Sequence, residues 1–135
     1  MTLSSHNAYP AKLIGPSFIA LQVRDLEVSR AFYVEKIGFT PSPHRPPGAI
    51  VFDTKPTPFA IRTPMVDLEA TSKLGWGVSL WIAVTDADLM HQQLVDADVS
   101  IVVPLADGPF GRFFAFQDPD GYILTMHTSR QKNVE

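Results

Sequence analysis

Apolar and polar positions alternate with a period of two over residues 18–24, with Ile19, Leu21 and Val23 on one side and Phe18, Ala20 and Gln22 on the other. This is the pattern of a strand with two different faces. Asp25 follows as a helix N-cap, and the helix it opens runs through Ala31, Phe32, Glu35 and Lys36 to a stop at Gly38. Its predicted buried stripe is Leu26, Val28, Phe32 and Tyr33. Four prolines and a glycine over 41–48 exclude a central strand or a helix there, and short strands are expected at 49–52 and 59–63.

Beyond a polar connector the pattern restarts. Residues 77–85 place Val78, Leu80, Ile82 and Val84 on one strand face, and Asp86 caps a helix to about Ala97 with Leu89, Met90, Gln93 and Leu94 as its stripe. Then come a short strand at 101–103, a glycine-containing loop at 105–111, a strand at 112–117, the turn Asp118-Pro119-Asp120-Gly121, and a last strand at 122–128. Laying residues 18–25 on 79–86 aligns strand, cap and helix at an offset of 61 residues. An internal duplication of strand, helix and three strands is the expectation, in the α+β class. Residues 1–16 and 129–135 are expected as tails around one domain, with module one at 17–64, a connector at 65–76 and module two at 77–128.

Composition narrows the partners. With 135 residues, 45% of them apolar, the chain is sized for one domain with a real core. Eleven basic against 14 acidic side chains give a net charge of −3 and no cationic footprint for nucleic acid. The absence of cysteine removes disulfides, thiolate metal sites and a cysteine nucleophile. Apolar runs end far short of the roughly 20 residues that span a bilayer, so no membrane partner is expected. Residues 1–16 carry only Lys12 as a cation and no long apolar block, so a cytoplasmic location is expected.

Two βαβββ units, with Val23-Arg24-Asp25-Leu26 leading into Ala31-Phe32-Tyr33 and Ile37-Gly38-Phe39, and with Phe116-Gln117-Asp118-Pro119-Asp120-Gly121 before a final strand, resemble the vicinal oxygen chelate superfamily. Glyoxalase I, extradiol dioxygenases, and fosfomycin and bleomycin resistance proteins belong to it. The resemblance covers roughly residues 17–128 and implies a glyoxalase/bleomycin resistance fold. In that fold each unit curls into half of a cup, commonly paired within or between chains, so a homodimer is expected. It also implies a divalent metal held by His, Gln or Glu of the first and last strands. Those positions fall here on Phe18, Ser79 and Thr125, and the remaining one on the strand of Ala60, Ile61 and Arg62. None provides imidazole or carboxylate, so no metal or other cofactor is expected.

Strand parity gives the lining of the cup independently. Phe18, Ala20 and Gln22 face away from the first helix, as do Ser79, Trp81 and Ala83 from the second; Ile123, Thr125 and His127 share a face. Burial of Phe59 and Ile61 leaves Ala60 and Arg62 in the cup, while the next-to-last strand offers either Phe113 with Ala115 or Arg112 with Phe114. The candidate ligand-binding residues are therefore Phe18, Gln22, Arg62, Ser79, Trp81, Phe113 and Thr125, with His127 as the candidate catalytic residue. His6, His44 and His91 fall in the tail, the proline-rich segment and a helix, with no common face that spacing establishes. The expected function is metal-independent binding of a small hydrophobic or aromatic molecule, as in antibiotic sequestration. The alternative is a metal-dependent lyase, isomerase or dioxygenase of the same superfamily with relocated ligands, drawing on His127, Gln117 or Gln22, or a metal-free enzyme using His127 as base.

Overall fold

The computed structural model describes residues 10–129, so most of both expected tails lies outside the described residues. Strand β1 (Ile19–Gln22) leads into α1 (Leu26–Ala31), and β2 (Ala49–Phe52) and β3 (Phe59–Arg62) complete the first half. In the second, β4 (Leu80–Val84) and α2 (Ala87–Asp96) precede β5 (Ser100–Gly108), β6 (Gly111–Gln117) and β7 (Ile123–Thr128). The first sheet is ordered β1-β3-β2 and the second β4-β7-β6-β5. In each, the first strand lies at an edge and pairs in parallel with the last, Leu21 beside Ile61 and Ile82 beside Met126.

The predicted caps form as the side chains dictate. Asp25 accepts the N–H groups of Glu27 and Val28, Asp86 accepts that of Leu89, and Gly38 ends the first helix at φ 101°. Past Ala31 the first helix widens into a π-helical stretch, Phe32–Ile37, whose i to i+5 repeat brings Phe32 and Ile37, with Tyr33, onto the buried side.

Several expectations are corrected. Val28 is 52% exposed and Ser29 is buried in its place, because the helix turns the Ser29 hydroxyl toward Asp120, 3.2 Å away. Leu89 and Gln93 are also outward, and α2 buries Ala87 and Leu94. β5 absorbs most of the loop expected at 105–111. Its Pro104 is tolerated because β5 is an edge strand whose pairing with β6 slips between Val103 and Ala106. Between the first helix and β2, where the prolines exclude a central strand, the chain makes only a bridge between Pro41 and Phe52, since Pro41, Pro43, Pro46 and Pro47 carry no N–H to extend a ladder.

One apolar core joins the halves. Tyr33, Phe39, Phe52 and Phe59 pack ring on ring at 5.4 to 6.1 Å, and Phe32 reaches Phe116 of the second half at 6.1 Å. Polar pins accompany it. The buried Tyr33 hydroxyl donates to Asp118 Oδ2 at 2.7 Å, and Tyr122 donates to the Gln22 carbonyl at 2.8 Å. The Arg24 guanidinium bridges Glu69 and Asp120. Burial, then the Asp118 charge, pushes the Tyr33 phenol far above its ordinary value. Burial also raises Asp118, against the hydrogen bonds it accepts from Tyr33, Tyr122 and Asp120.

Candidate ligand site

Alternation along β4 sends Leu80, Ile82 and Val84 toward the core and Trp81 and Ala83 the other way. Cross-strand register extends that second face. Trp81 lies beside Thr125, which opposes Ala115, and Ala83 lies beside His127, which opposes Phe113. The open choice on β6 is thereby resolved, with Phe113 and Ala115 on the cup side and Phe114 and Phe116 fully buried.

Trp81 is the centre of an aromatic cluster. Its ring lies 5.8 Å from Phe113, 5.5 Å from His127 and 5.8 Å from Phe110, the last two edge to face, yet it stays 43% exposed. Edge-to-face packing fixes an indole while leaving surface for a further ring. Ala83 and Ala115 beside it keep the surface low. Phe110 was absent from the sequence-derived site. It sits with Pro109 in the tight β5–β6 turn, where Gly108 pairs with Gly111. A Cβ at Gly108 would come within 2.8 Å of the Phe113 ring, and Gly111 adopts φ 105°. The sequence Gly108-Pro109-Phe110-Gly111 was the available signal for a two-residue turn that presents an aromatic ring.

His127 Nδ1 lies 3.2 Å from the Phe110 carbonyl. A carbonyl only accepts, so this contact places the proton on Nδ1 and leaves the Nε2 lone pair in the neutral ring. On the first half, Ala20, Gln22, Ala60, Arg62, Ala49 and Val51 share the face opposite the core. Gln22 Oε1 is engaged by the N–H groups of Met65 and Val66, and Arg62 Nε by the Thr63 carbonyl. Phe18, 54% exposed, stands just before β1. The structure therefore divides the sequence-derived site. Trp81, Phe113 and His127 are in mutual contact; Phe18, Gln22 and Arg62 belong to the other sheet; Ser79 and Thr125 line a hollow of their own.

A cavity of about 360 Å³ opens where the halves meet, lined by Ile19, Phe39 and Phe59 from the first and Leu80, Trp81 and Leu124 from the second. Its size and mostly apolar walls, with Thr54, Lys55 and Thr57 as the polar part of the lining, suit a small organic molecule. The donor set that a family metal would need does not fit: a phenyl ring, two hydroxyls and an alanine or guanidinium occupy the positions. Among the described residues no three His, Asp or Glu side chains converge as ligands, and no helix is long and apolar enough to cross a membrane.

Residues 15–126 match the family described as Glyoxalase/Bleomycin resistance protein/Dioxygenase superfamily. Among solved structures, a glyoxalase-related enzyme from Fulvimarina pelagi is 26% identical, with 87% of this chain and 89% of that chain covered and a TM-score of 0.69. An antibiotic binding protein from Streptomyces sp. CB03234 is 20% identical over 89% of this chain and 99% of its own, at a TM-score of 0.66. The bleomycin-binding protein from bleomycin-producing Streptomyces verticillus, complexed with copper(II)-bleomycin, is 21% identical over 90% and 100%, at 0.65. The latter two identities establish a shared fold alone. No curated protein matches the sequence.

Proposed function

Starting from a chain that belongs to the Glyoxalase/Bleomycin resistance protein/Dioxygenase superfamily, we propose that it binds a small planar aromatic molecule without a metal, holding it by sequestration. The observation that carries this reading is Trp81. It is a half-exposed indole braced by Phe110, Phe113 and His127 at the rim of a largely apolar cavity of about 360 Å³, and it shares a strand face with Ser79, one of the positions where the resemblance would put a metal ligand. Stacking on a fixed indole and burial in that cavity supply affinity with little ordering cost. The antibiotic-binding relatives lend support, since they share the fold.

The test is a calorimetric screen of planar aromatic antibiotics, with and without chelator. Trp81→Ala is expected to weaken a hit at least about tenfold, and chelator to leave it unchanged. Stoichiometric metal on which binding depends would overturn the reading.

A second reading rests on His127, whose Nδ1 contact leaves Nε2 as a base beside Trp81. It predicts turnover of the bound compound, lost in His127→Ala with binding retained. We further infer a homodimer, because Phe18, Trp81 and Ile123 leave apolar surface on both sheets of the single chain. Sedimentation at one chain mass would exclude it.

A further inference from the structure

The connector between the halves is more than a link. Trp76 N–H bonds the Lys73 carbonyl at 3.3 Å and Val78 N–H the Gly75 carbonyl at 3.0 Å, so residues 73–78 fold into consecutive turns. Gly75, at φ 73°, lies so close to Tyr122 that a Cβ there would sit 2.8 Å from the ring. Tyr122 is itself held by its hydrogen bond to Gln22. This contact seats the connector against the second sheet and makes it one wall of a hollow of about 410 Å³.

The lining of that hollow sets apolar surface beside hydrogen-bonding side chains. Trp76, 76% exposed, and Ile123 give apolar surface, and Ser79, Gln117 and Thr125 border the same space. No described residue hydrogen-bonds the hydroxyls of Ser79 and Thr125 or the amide of Gln117. Lys73 Nζ lies 4.7 Å from the centre of the Trp76 ring and has no carboxylate partner among the described residues. No Asp or Glu lines the hollow. Two hydroxyls, an amide and an ammonium can all donate, so an anionic oxygen group finds partners and no like charge, whereas a cation meets Lys73.

We propose that this hollow recognises a planar aromatic carboxylate, with the ring against Trp76 and Ile123 and the carboxylate toward Lys73, Gln117 and the two hydroxyls. The proposal goes beyond the aromatic-binding reading above, since this hollow is separate from the cavity beside Trp81, and it fixes the sign of its own ligand's charge, opposite to what the net charge of −3 favours.

The experiment titrates the full chain with 2-naphthoate and with 2-naphthylmethylammonium, following both tryptophan indole N–H signals by NMR, assigned with Trp76→Phe and Trp81→Phe. Naphthoate is expected to move the Trp76 signal and to bind at least about tenfold more tightly than the ammonium probe. Lys73→Gln, at an exposed side chain, is expected to keep the native spectrum and reduce that preference to about threefold or less. Equal or reversed preference, a response of Trp81 alone, or an unchanged preference in Lys73→Gln would overturn the proposal while leaving aromatic binding intact. Binding of neither probe would overturn the proposal, and failure of the wider aromatic screen as well would overturn the aromatic-binding reading.

Discussion

In the first half of the chain, the face turned from the core carries Ala20, Ala49, Ala60 and Val51, with Gln22 and Arg62 engaged by nearby backbone groups. In the second, the equivalent face carries Trp81, Phe113 and His127 in contact, and Phe110 on the turn above them. The core sides are far more alike: Leu21 and Ile61 are matched by Ile82 and Met126, with an aspartate capping each helix. A duplicated plan must keep its helix-facing residues to stay folded, whereas residues on the other face are free to acquire binding chemistry. Here the aromatic cluster proposed to bind a ligand lies in one half.

The largest test of this comparison removes core volume from each half separately. Phe52→Ala and Phe116→Ala each delete a fully buried ring and are expected to cost about 3–5 kcal/mol. Because Phe32 joins Phe116 and Tyr33 joins Asp118, both variants should unfold in one transition followed by urea. Two separate transitions would show that the halves are independent units sharing a chain.

The joint itself is open to alkaline titration. The Tyr33 phenol has a folded value raised above the unfolded one near 10, so the folded state retains a proton that the unfolded state loses. Its stabilising contribution is complete below that unfolded value. It declines by about 1.4 kcal/mol per pH unit above it. Tyr122, raised in the same direction, adds to the slope. Tyr33→Phe is expected to be less stable at neutral pH by about 1–2 kcal/mol, from the lost bond to Asp118, and to show a shallower alkaline decline. An identical slope in Tyr33→Phe would place the alkaline sensitivity elsewhere.

Much of this organisation was legible in the sequence because it is local. The offset of 61 residues, both aspartate caps and the alternation that sends Trp81 outward all follow from neighbours within a few positions. What was not legible depends on distant partners. Nothing near Ser29 announces that Asp120, 91 residues away, will bury it, or near Gly75 that Tyr122 will receive the connector. Composition made residues 65–76 read as a link, although their geometry builds the wall that carries Trp76. Phe110 lay in a segment expected as a glycine-containing loop, and it does sit in the β5–β6 turn; that its ring meets Trp81 depends on how strands distant in the chain pair.

The caps give the smallest and sharpest form of the comparison. Asp25 accepts two backbone N–H groups, at 3.0 and 3.1 Å, and Asp86 accepts one, at 3.1 Å. Each cap replaced by alanine is expected to cost about 1 kcal/mol, with Asp25→Ala the larger loss because it orphans two donors. The lengths of the helices weigh the same way: α2 has ten residues to sustain it, whereas α1 has six before it widens. A short first turn has fewer following hydrogen bonds to offset its nucleation cost, which again makes the first half more dependent on its cap. Urea midpoints of the two variants, measured at one pH and salt concentration, should therefore fall in the order Asp25→Ala, Asp86→Ala, parent. The reverse order of the variants would mean that tertiary packing, through Ala87 and Leu94 on α2 and Ser29 and Phe32 on the first helix, outweighs the local hydrogen bonds in deciding how each half begins its helix.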